Sequence, residues 1–212
     1  MFPKLTPAVR LILFANIAVF IISVFAQDTT AGTQMVMKYL VLYKSNLLGF
    51  RSLDFAYEGY FQPIQIFTYF FNHGGIAHIL FNMMALASLG PYVEDVIGTP
   101  RFFKFYMFSG IFAGILLAFL DPTDGPVVGA SGAISGVLVL FAIFFPNAKL
   151  GLFFLPIYFE AKKFVLGIAL ISTLFILFSD NGGGISHFGH LAGMASALLL
   201  YEVENVVHRL GK

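Results

Sequence analysis

The stretch that decides the fold is GPVVGASGAISG, residues 125–136, in which a glycine-rich loop runs into an apolar helix. Ser131 lies where the first turn of that helix is predicted to begin, so no carbonyl within the helix satisfies its backbone amide. The partial positive charge of a helix N-terminus favours an oxyanion beside its hydroxyl. Because residues 137–145 are wholly apolar, this serine is expected at or below a membrane surface.

The same residues also have a purely structural interpretation. Gly132 and Gly136 form a small-xxx-small pair, which lets membrane helices pack closely and implies no chemistry by itself. Taken alone, the sequence GASG favours helix packing over catalysis. A catalytic role for Ser131 needs a base elsewhere in the membrane.

Composition indicates an integral membrane protein. Of 212 residues, 58% are hydrophobic and 11% are charged, which is far from the balance of a soluble domain. Six apolar runs are each near the length needed to cross a hydrocarbon core of ~30 Å. They are residues 11–26, 76–93, 102–120, 131–146, 164–179 and 188–203. The sequence therefore predicts an all-α polytopic bundle of six transmembrane helices, with one domain over residues 1–212 and both termini on one side.

Charged side chains predict the orientation. If the N-terminus is cytoplasmic, that side receives nine of the twelve Lys and Arg residues, and the other side keeps Lys38, Lys44 and Arg51. This distribution satisfies the positive-inside rule, so cytoplasmic termini are expected. The expected location is a bacterial plasma membrane. The net charge of +1 gives no indication of nucleic-acid binding, and the absence of cysteine excludes disulfides, thiolate catalysis and Cys-ligated metals.

Three segments outside the apolar cores carry further expectations. Residues 24–26, Val-Phe-Ala, would pass as a cleavage site, so a removable signal peptide is an alternative to a retained first helix. A retained helix is favoured because removing it would put the termini on opposite sides of the membrane. Residues 27–64 mix apolar and charged side chains, which predicts a partly helical first loop lying in the membrane interface. Residues 180–184 include three glycines and are expected to form a mobile outer loop.

The second predicted span opens with HGGIAHILFN. His78 and Asn82 are four apart and share one helix face, whereas His73 and His78, five apart, would lie on different sides of a helix. Polar side chains among apolar residues are costly in lipid, so this pair is expected to bond to neighbouring helices or to face a wet cavity. The span is expected to end at Gly90-Pro91, with Glu94 at the cytoplasmic interface.

The last predicted span opens with SHFGHLAGMASA. His190, Gly193 and Ala197 fall at i, i+3 and i+7, so one face carries an imidazole followed by small residues. That face permits close approach to the glycines of the fourth span and would bring Ser131 and His190 within hydrogen-bond reach. His187 lies one turn earlier, but only His190 is followed by the small-residue spacing, which makes it the preferred base.

These side chains together indicate acyl-transfer chemistry. Serine is a weak nucleophile until a neighbouring base takes its proton, and neutral histidine suits that role near pH 7. No carboxylate third member is visible within a span, which fits the setting because an ionised Asp in lipid is expensive. The Ser131 amide, the Asn82 carboxamide and the His78 imidazole are candidate donors to an oxyanion.

The chain resembles the rhomboid family, six-helix intramembrane serine proteases, through three motifs in the family's order. They are HxxxN (His78, Asn82), GxSG (129–132) and HxxGxxxA (His190, Gly193, Ala197). The resemblance implies Ser131 as nucleophile, His190 as general base and then acid, and an oxyanion site made by His78, Asn82 and the Ser131 amide. It also implies cleavage of single-span membrane proteins near their membrane entry, without metal, nucleotide or other cofactor.

Two departures from the family pattern and two alternative functions stay open. Rhomboids often carry Trp-Arg where this chain has Ile64-Gln65, which bears on how the first loop is anchored. Some carry an aromatic residue where this chain has Ser135, which bears on stacking of the catalytic histidine. One alternative is a non-catalytic rhomboid-like protein that binds transmembrane helices. The other is a metal or small-solute transporter lined by the histidines at positions 73, 78, 187 and 190, which the absence of HExxH disfavours.

Overall fold

The structure is a computed structural model that describes residues 3–43, 61–121, 125–151, 157–178 and 186–210. Within these ranges the chain forms eight α-helices: α1 (Pro7–Ala26), α2 (Thr30–Leu40), α3 (Gln65–Thr68), α4 (Ile76–Ile97), α5 (Thr99–Leu120), α6 (Ser131–Phe144), α7 (Ala161–Phe178) and α8 (His187–Leu210). A 3₁₀ turn, Tyr69–Phe71, follows α3. Two short antiparallel strands, β1 (Lys149–Gly151) and β2 (Tyr158–Glu160), lie between α6 and α7.

The protein is a helical, multi-pass membrane protein. Four helices of the described chain, α1, α4, α5 and α7, are long and apolar enough to cross a membrane. Helix α6 is apolar but has 14 residues, and α8 has 24 residues with its charged side chains toward the C-terminal end. The six-span prediction therefore stays a prediction for α6 and α8.

The expected end of the second span at Gly90-Pro91 is wrong. Helix α4 runs through Pro91 to Ile97 and is followed by Gly98, whose φ is 81°. Gly90 lies against α1, because a Cβ at this position would come within 2.6 Å of Cγ2 of Val9. Packing against α1 thus holds the backbone helical where proline alone favours a break.

Helix α6 lies at the centre of the fold. Its residues from Gly132 to Ala142 are all buried, among helices α4, α5 and α8. Helix α7 is the most exposed of the four candidate spans, with 11% of its apolar window buried against 44% for α5. The helix that carries Ser131 is therefore fixed by packing around its circumference, whereas α7 is held along a narrow face.

Helices α6 and α8 meet along their glycines, as the spacing predicted. A Cβ built on Gly193 would overlap the carbonyl oxygen of Gly132, and one built on Gly136 would lie 3.2 Å from the carbonyl oxygen of Gly193. The same position on Gly136 would lie 2.8 Å from Cβ of Ser109 in α5. Small residues therefore allow three helices to approach closely at this level.

Parts of two predicted loops lie outside the described residues. These parts are residues 44–60 of the first loop and the whole of the glycine-containing segment 180–184. The described part of the first loop contains α2, which agrees with the expectation of a partly helical segment.

Glu94 is buried between α1 and α5. Its side chain is 2% exposed and its carboxylate accepts hydrogen bonds from the backbone amides of Ala8 and Val9 at 2.9 and 3.0 Å. The hydroxyls of Thr6 and Thr99 also donate to it. Glu94 thus accepts hydrogen bonds from the free amides at the start of α1, and its negative charge stabilises the positive end of the α1 helix dipole.

Replacing Glu94 should destabilise the bundle. Glu94→Ala leaves two buried amides and two hydroxyls without their acceptor, and we expect the free energy of unfolding to fall by about 3 kcal/mol. The adjacent carboxylate Asp95 is exposed, so Asp95→Ala is the matched control and should have little effect. Denaturation in mixed detergent micelles measures both, and equal stabilities of the two variants would contradict this role.

A methyl group at Gly193 should separate α6 from α8. Gly193→Ala places a carbon on the carbonyl of Gly132, and we expect a loss of about 1–3 kcal/mol from the overpacked contact. Gly167 of α7 has open space around it, so Gly167→Ala should leave stability unchanged or raise it by up to about 1 kcal/mol. Thermal unfolding in detergent compares the two, and a stable Gly193→Ala variant would count against the close contact.

Candidate active site

The loop before α6 is held by two neighbouring segments, which fixes the position of Ser131. Leu42, just after α2, exchanges two backbone hydrogen bonds of 2.9 Å with Val127. The amide of Gly129 donates to the carbonyl oxygen of Tyr69 at 3.0 Å. Helix α6 then begins at Ser131, as the sequence predicted.

Gly129 brings this loop against the imidazole of His78. Its φ of 118° lies in the region that favours glycine. A Cβ at this position would come within 2.6 Å of Nε2 of His78. Any larger residue would therefore strain the loop and displace the imidazole from the start of α6.

One cavity of about 1030 Å³ brings the four predicted site residues together. Ser131, His190, His78 and Asn82 all line it. Asn82 is buried, and the other three are half-buried. The hydroxyl of Ser131 and the imidazole of His190 thus share one space with His78 and Asn82 of α4.

The cavity has a polar end and an apolar end. Its apolar end is lined by side chains two turns beyond Asn82 and Ser131, namely Leu89 of α4 and Leu138 of α6, together with Ile168 of α7. Pockets of this composition bind apolar ligands and use a few polar groups to orient them. A largely apolar ligand with one reactive polar group would match this lining.

Hydrogen bonds orient His78 and Asn82 of α4. The amide of Gly74 donates to Nδ1 of His78 at 3.4 Å, an assignment that puts the imidazole proton on Nε2, beside Gly129. Asn82 uses an N–H of its side-chain amide for the carbonyl of His78 at 2.9 Å. A carboxamide has two N–H groups, so one remains to serve as a donor.

His73 lies beside His78, and the expectation that they fall on different sides of a helix is wrong. Helix α4 begins at Ile76, so His73 lies in the turn before it. The two ring centroids are 5.1 Å apart with an interplanar angle of 75°. Burial, and then the proximity of His78, lowers the pKa of His73 to about 4, so its imidazole is neutral near pH 7.

The two histidines of α8 have different surroundings. His190 lines the cavity with Ser131, whereas His187 is buried with its ring stacked on Phe175 of α7 at 4.5 Å. Nδ1 of His187 lies 3.4 Å from the hydroxyl oxygen of Ser172. These positions favour His190 over His187 as a base for Ser131.

Gln65 anchors the described part of the first loop, a role that the sequence did not indicate. Its fully buried side chain accepts hydrogen bonds from the amides of Tyr43 and Gln62 at 3.2 and 3.1 Å and donates to the carbonyl of Lys38 at 2.8 Å. The departure at Ile64-Gln65 therefore does not leave this region unanchored. A buried amide satisfies several backbone groups at once, but no spacing in the sequence marks it as buried.

The described residues offer no metal centre. Across these ranges, no group of three or more His, Asp or Glu side chains lies close enough to hold a metal ion. His73 pairs with His78, while His187 faces Ser172 and Phe175 of α7. This geometry gives no support to the transporter alternative.

Comparison with known proteins identifies the family. The rhomboid domain model matches residues 60–203. RHOMBOID-like protein 1 of Arabidopsis thaliana is 32% identical over 94% of this chain, and mitochondrial Rhomboid protein 1 of Saccharomyces cerevisiae is 40% identical over 65% of it. Rhomboid protease GluP of Bacillus subtilis is 33% identical over 58% of this chain.

These relatives are longer proteins. The matched region spans 52% of the Arabidopsis protein, 41% of the yeast protein and 22% of GluP. The family model nevertheless covers the region from α3 to residue 203 of α8, including the cavity and all three motifs. The resemblance read from those motifs is confirmed, and the chain belongs to the rhomboid family.

Proposed function

We propose that this protein is an intramembrane serine endopeptidase that cleaves single-span membrane proteins near their membrane entry. The observation that carries the proposal is that Ser131, at the start of α6, shares one cavity with His190 of α8. Membership in a family that includes a named protease, GluP, supports this chemistry. The proposed partners are transmembrane substrates and the lipid bilayer, and the reaction uses no nucleic acid, metal or other cofactor.

The proposed reaction proceeds through an acyl-enzyme. His190 takes the proton of the Ser131 hydroxyl, and the oxygen attacks the carbonyl carbon of the scissile peptide bond. Collapse of the tetrahedral intermediate breaks the C–N bond while His190 gives its proton to the leaving amine. Water, deprotonated by His190, then attacks the ester and releases the second product with Ser131 restored.

Three donors would stabilise the oxyanion of the tetrahedral intermediates. Ser131 contributes its backbone N–H at the positive end of α6. Asn82 contributes the second N–H of its amide, and His78 the Nε2–H beside Gly129. These groups are held by hydrogen bonds and packing before substrate arrives, which is the condition for effective electrostatic stabilisation.

The proposed topology has six spans, formed by α1, α4, α5, α6, α7 and α8. The positive-inside distribution supports cytoplasmic termini, an orientation in which the start of α6 lies near the outer surface, where water would reach it. We propose a bacterial plasma membrane as the location and a single domain over residues 1–212. The interface at which the first loop would lie is the same outer surface.

A second function, binding and escort of transmembrane helices without cleavage, would use the apolar end of the same cavity. Leu89, Leu138 and Ile168 would contact an apolar segment whether or not a bond is cut. Such a function makes no demand on the Ser131 hydroxyl. Removal of the Ser131 hydroxyl oxygen therefore distinguishes the two functions, because only cleavage requires it.

Ser131 should react with an active-site-directed reagent. We expect a fluorophosphonate to label Ser131, mapped by mass spectrometry, and to label it slowly or not at all in His190→Ala, because the serine then has no base. Ser131→Ala should lose cleavage of a single-span test substrate. Ser88→Ala is the matched control, since Ser88 donates to the Met84 carbonyl within α4 and does not line the cavity. Undiminished cleavage by Ser131→Ala would contradict the proposal and favour a binding protein.

Removing the Asn82 amide should slow the reaction without weakening substrate binding. Loss of one oxyanion donor typically lowers kcat by about 10²–10³-fold, and we expect KM to change little in Asn82→Ala. Asn147→Ala provides the control, because Asn147 is exposed and accepts only from Lys162 among the hydrogen bonds observed in the described chain. A raised KM with unchanged kcat would assign Asn82 to substrate binding.

A further inference from the structure

His187 connects the preferred base to α7. It is 8% exposed, does not line the cavity, and lies one helical turn before His190 on α8. The ring centroids of the two histidines are 6.2 Å apart with an interplanar angle of 78°, which is an edge-to-face contact. His187 is therefore close enough to restrict the rotation of the His190 ring.

Contacts with α7 hold His187 in turn. Its ring stacks on Phe175 with a centroid distance of 4.5 Å and an interplanar angle of 16°. Its Nδ1 lies 3.4 Å from Oγ of Ser172, a side chain that is 1% exposed. Ser172 and Phe175 are three apart, so they present both contacts from one face of α7.

Helix α6 supplies no ring that could perform this role. Its contributions to the cavity are Ser131, Ile134, Ser135 and Leu138. None of these side chains can stack on an imidazole. Among the described residues, the ring contact of His190 is with His187 of its own helix.

We propose that His187 is a positioning residue for His190, and that Ser172 and Phe175 of α7 support it. This inference rests on the proposed protease function. A base must lie within hydrogen-bond reach of the serine hydroxyl, and a displacement of about 1 Å can cost about 10²-fold in rate. Because α7 is the most exposed candidate span, the orientation of the base depends on the position of the helix that is least fixed by packing.

The test measures how fast the fluorophosphonate labels Ser131 in variants of the intact protein. His187→Ala removes the ring and should lower the labelling rate and kcat about tenfold or more, with KM nearly unchanged. His187→Phe keeps a ring that stacks on Phe175 and contacts His190, and should restore the rate to within about threefold of wild type. Thermal unfolding of each variant is the control that checks whether the protein remains folded.

Substitutions on α7 provide an independent test that leaves α8 intact. Ser172→Ala removes the hydroxyl beside His187 and should slow labelling measurably. Thr173→Ala is the matched control, because Thr173 is exposed and donates to the Ala169 carbonyl of its own helix at 2.8 Å. We expect Thr173→Ala to label at the wild-type rate.

The outcomes separate this inference from the function on which it rests. Labelling of His187→Ala at the wild-type rate overturns the positioning role and leaves the protease proposal intact. Equal slowing in His187→Ala and His187→Phe also overturns it, because a ring would then give no rescue. Absence of labelling in the wild-type protein overturns both proposals.

Discussion

The close contact between Gly132 of α6 and Gly193 of α8 is the constraint on which the rest of the structure depends. A single methyl group at Gly193 would overlap the Gly132 carbonyl, so the two backbones touch without side chains between them. This contact lies one residue beyond Ser131 on α6 and three residues beyond His190 on α8. Close packing therefore positions both residues at one cavity, and no charged partner is needed to bring them together.

The neighbouring elements support this contact and make the site polar where polarity is useful. The loop before α6 is held by Leu42 and Tyr69, and Gly129 gives it room to pass the His78 imidazole. Polar donors therefore converge at the start of α6. Two helical turns further along α6, the lining of the cavity is apolar. In the proposed protease, a reaction that consumes water would proceed at the polar end while a hydrophobic segment of the substrate lies along the apolar end.

Spacing in the sequence predicted the elements that depend on helical periodicity. The contact between the glycines of α6 and α8 and the shared face of His78 and Asn82 follow from residues three, four or seven apart. The start of α6 at Ser131 follows from the change from a glycine-rich loop to an apolar run. The features that the sequence did not indicate depend on contacts between residues that are distant in sequence. Gly90 packs on α1 and keeps α4 helical through Pro91, Glu94 is buried by amides of α1, and Gln65 joins segments over 20 residues apart. No local sequence pattern indicates contacts between residues so far apart in the chain.

A double-variant comparison tests most directly whether Ser131 and His190 act as one unit. The value of kcat/KM is measured for wild type, Ser131→Ala, His190→Ala and the variant with both changes. If the two residues act as one unit, each single change lowers kcat/KM to nearly the same residual level and the double change lowers it no further. Losses that multiply in the double variant, or full activity in His190→Ala, would contradict this prediction.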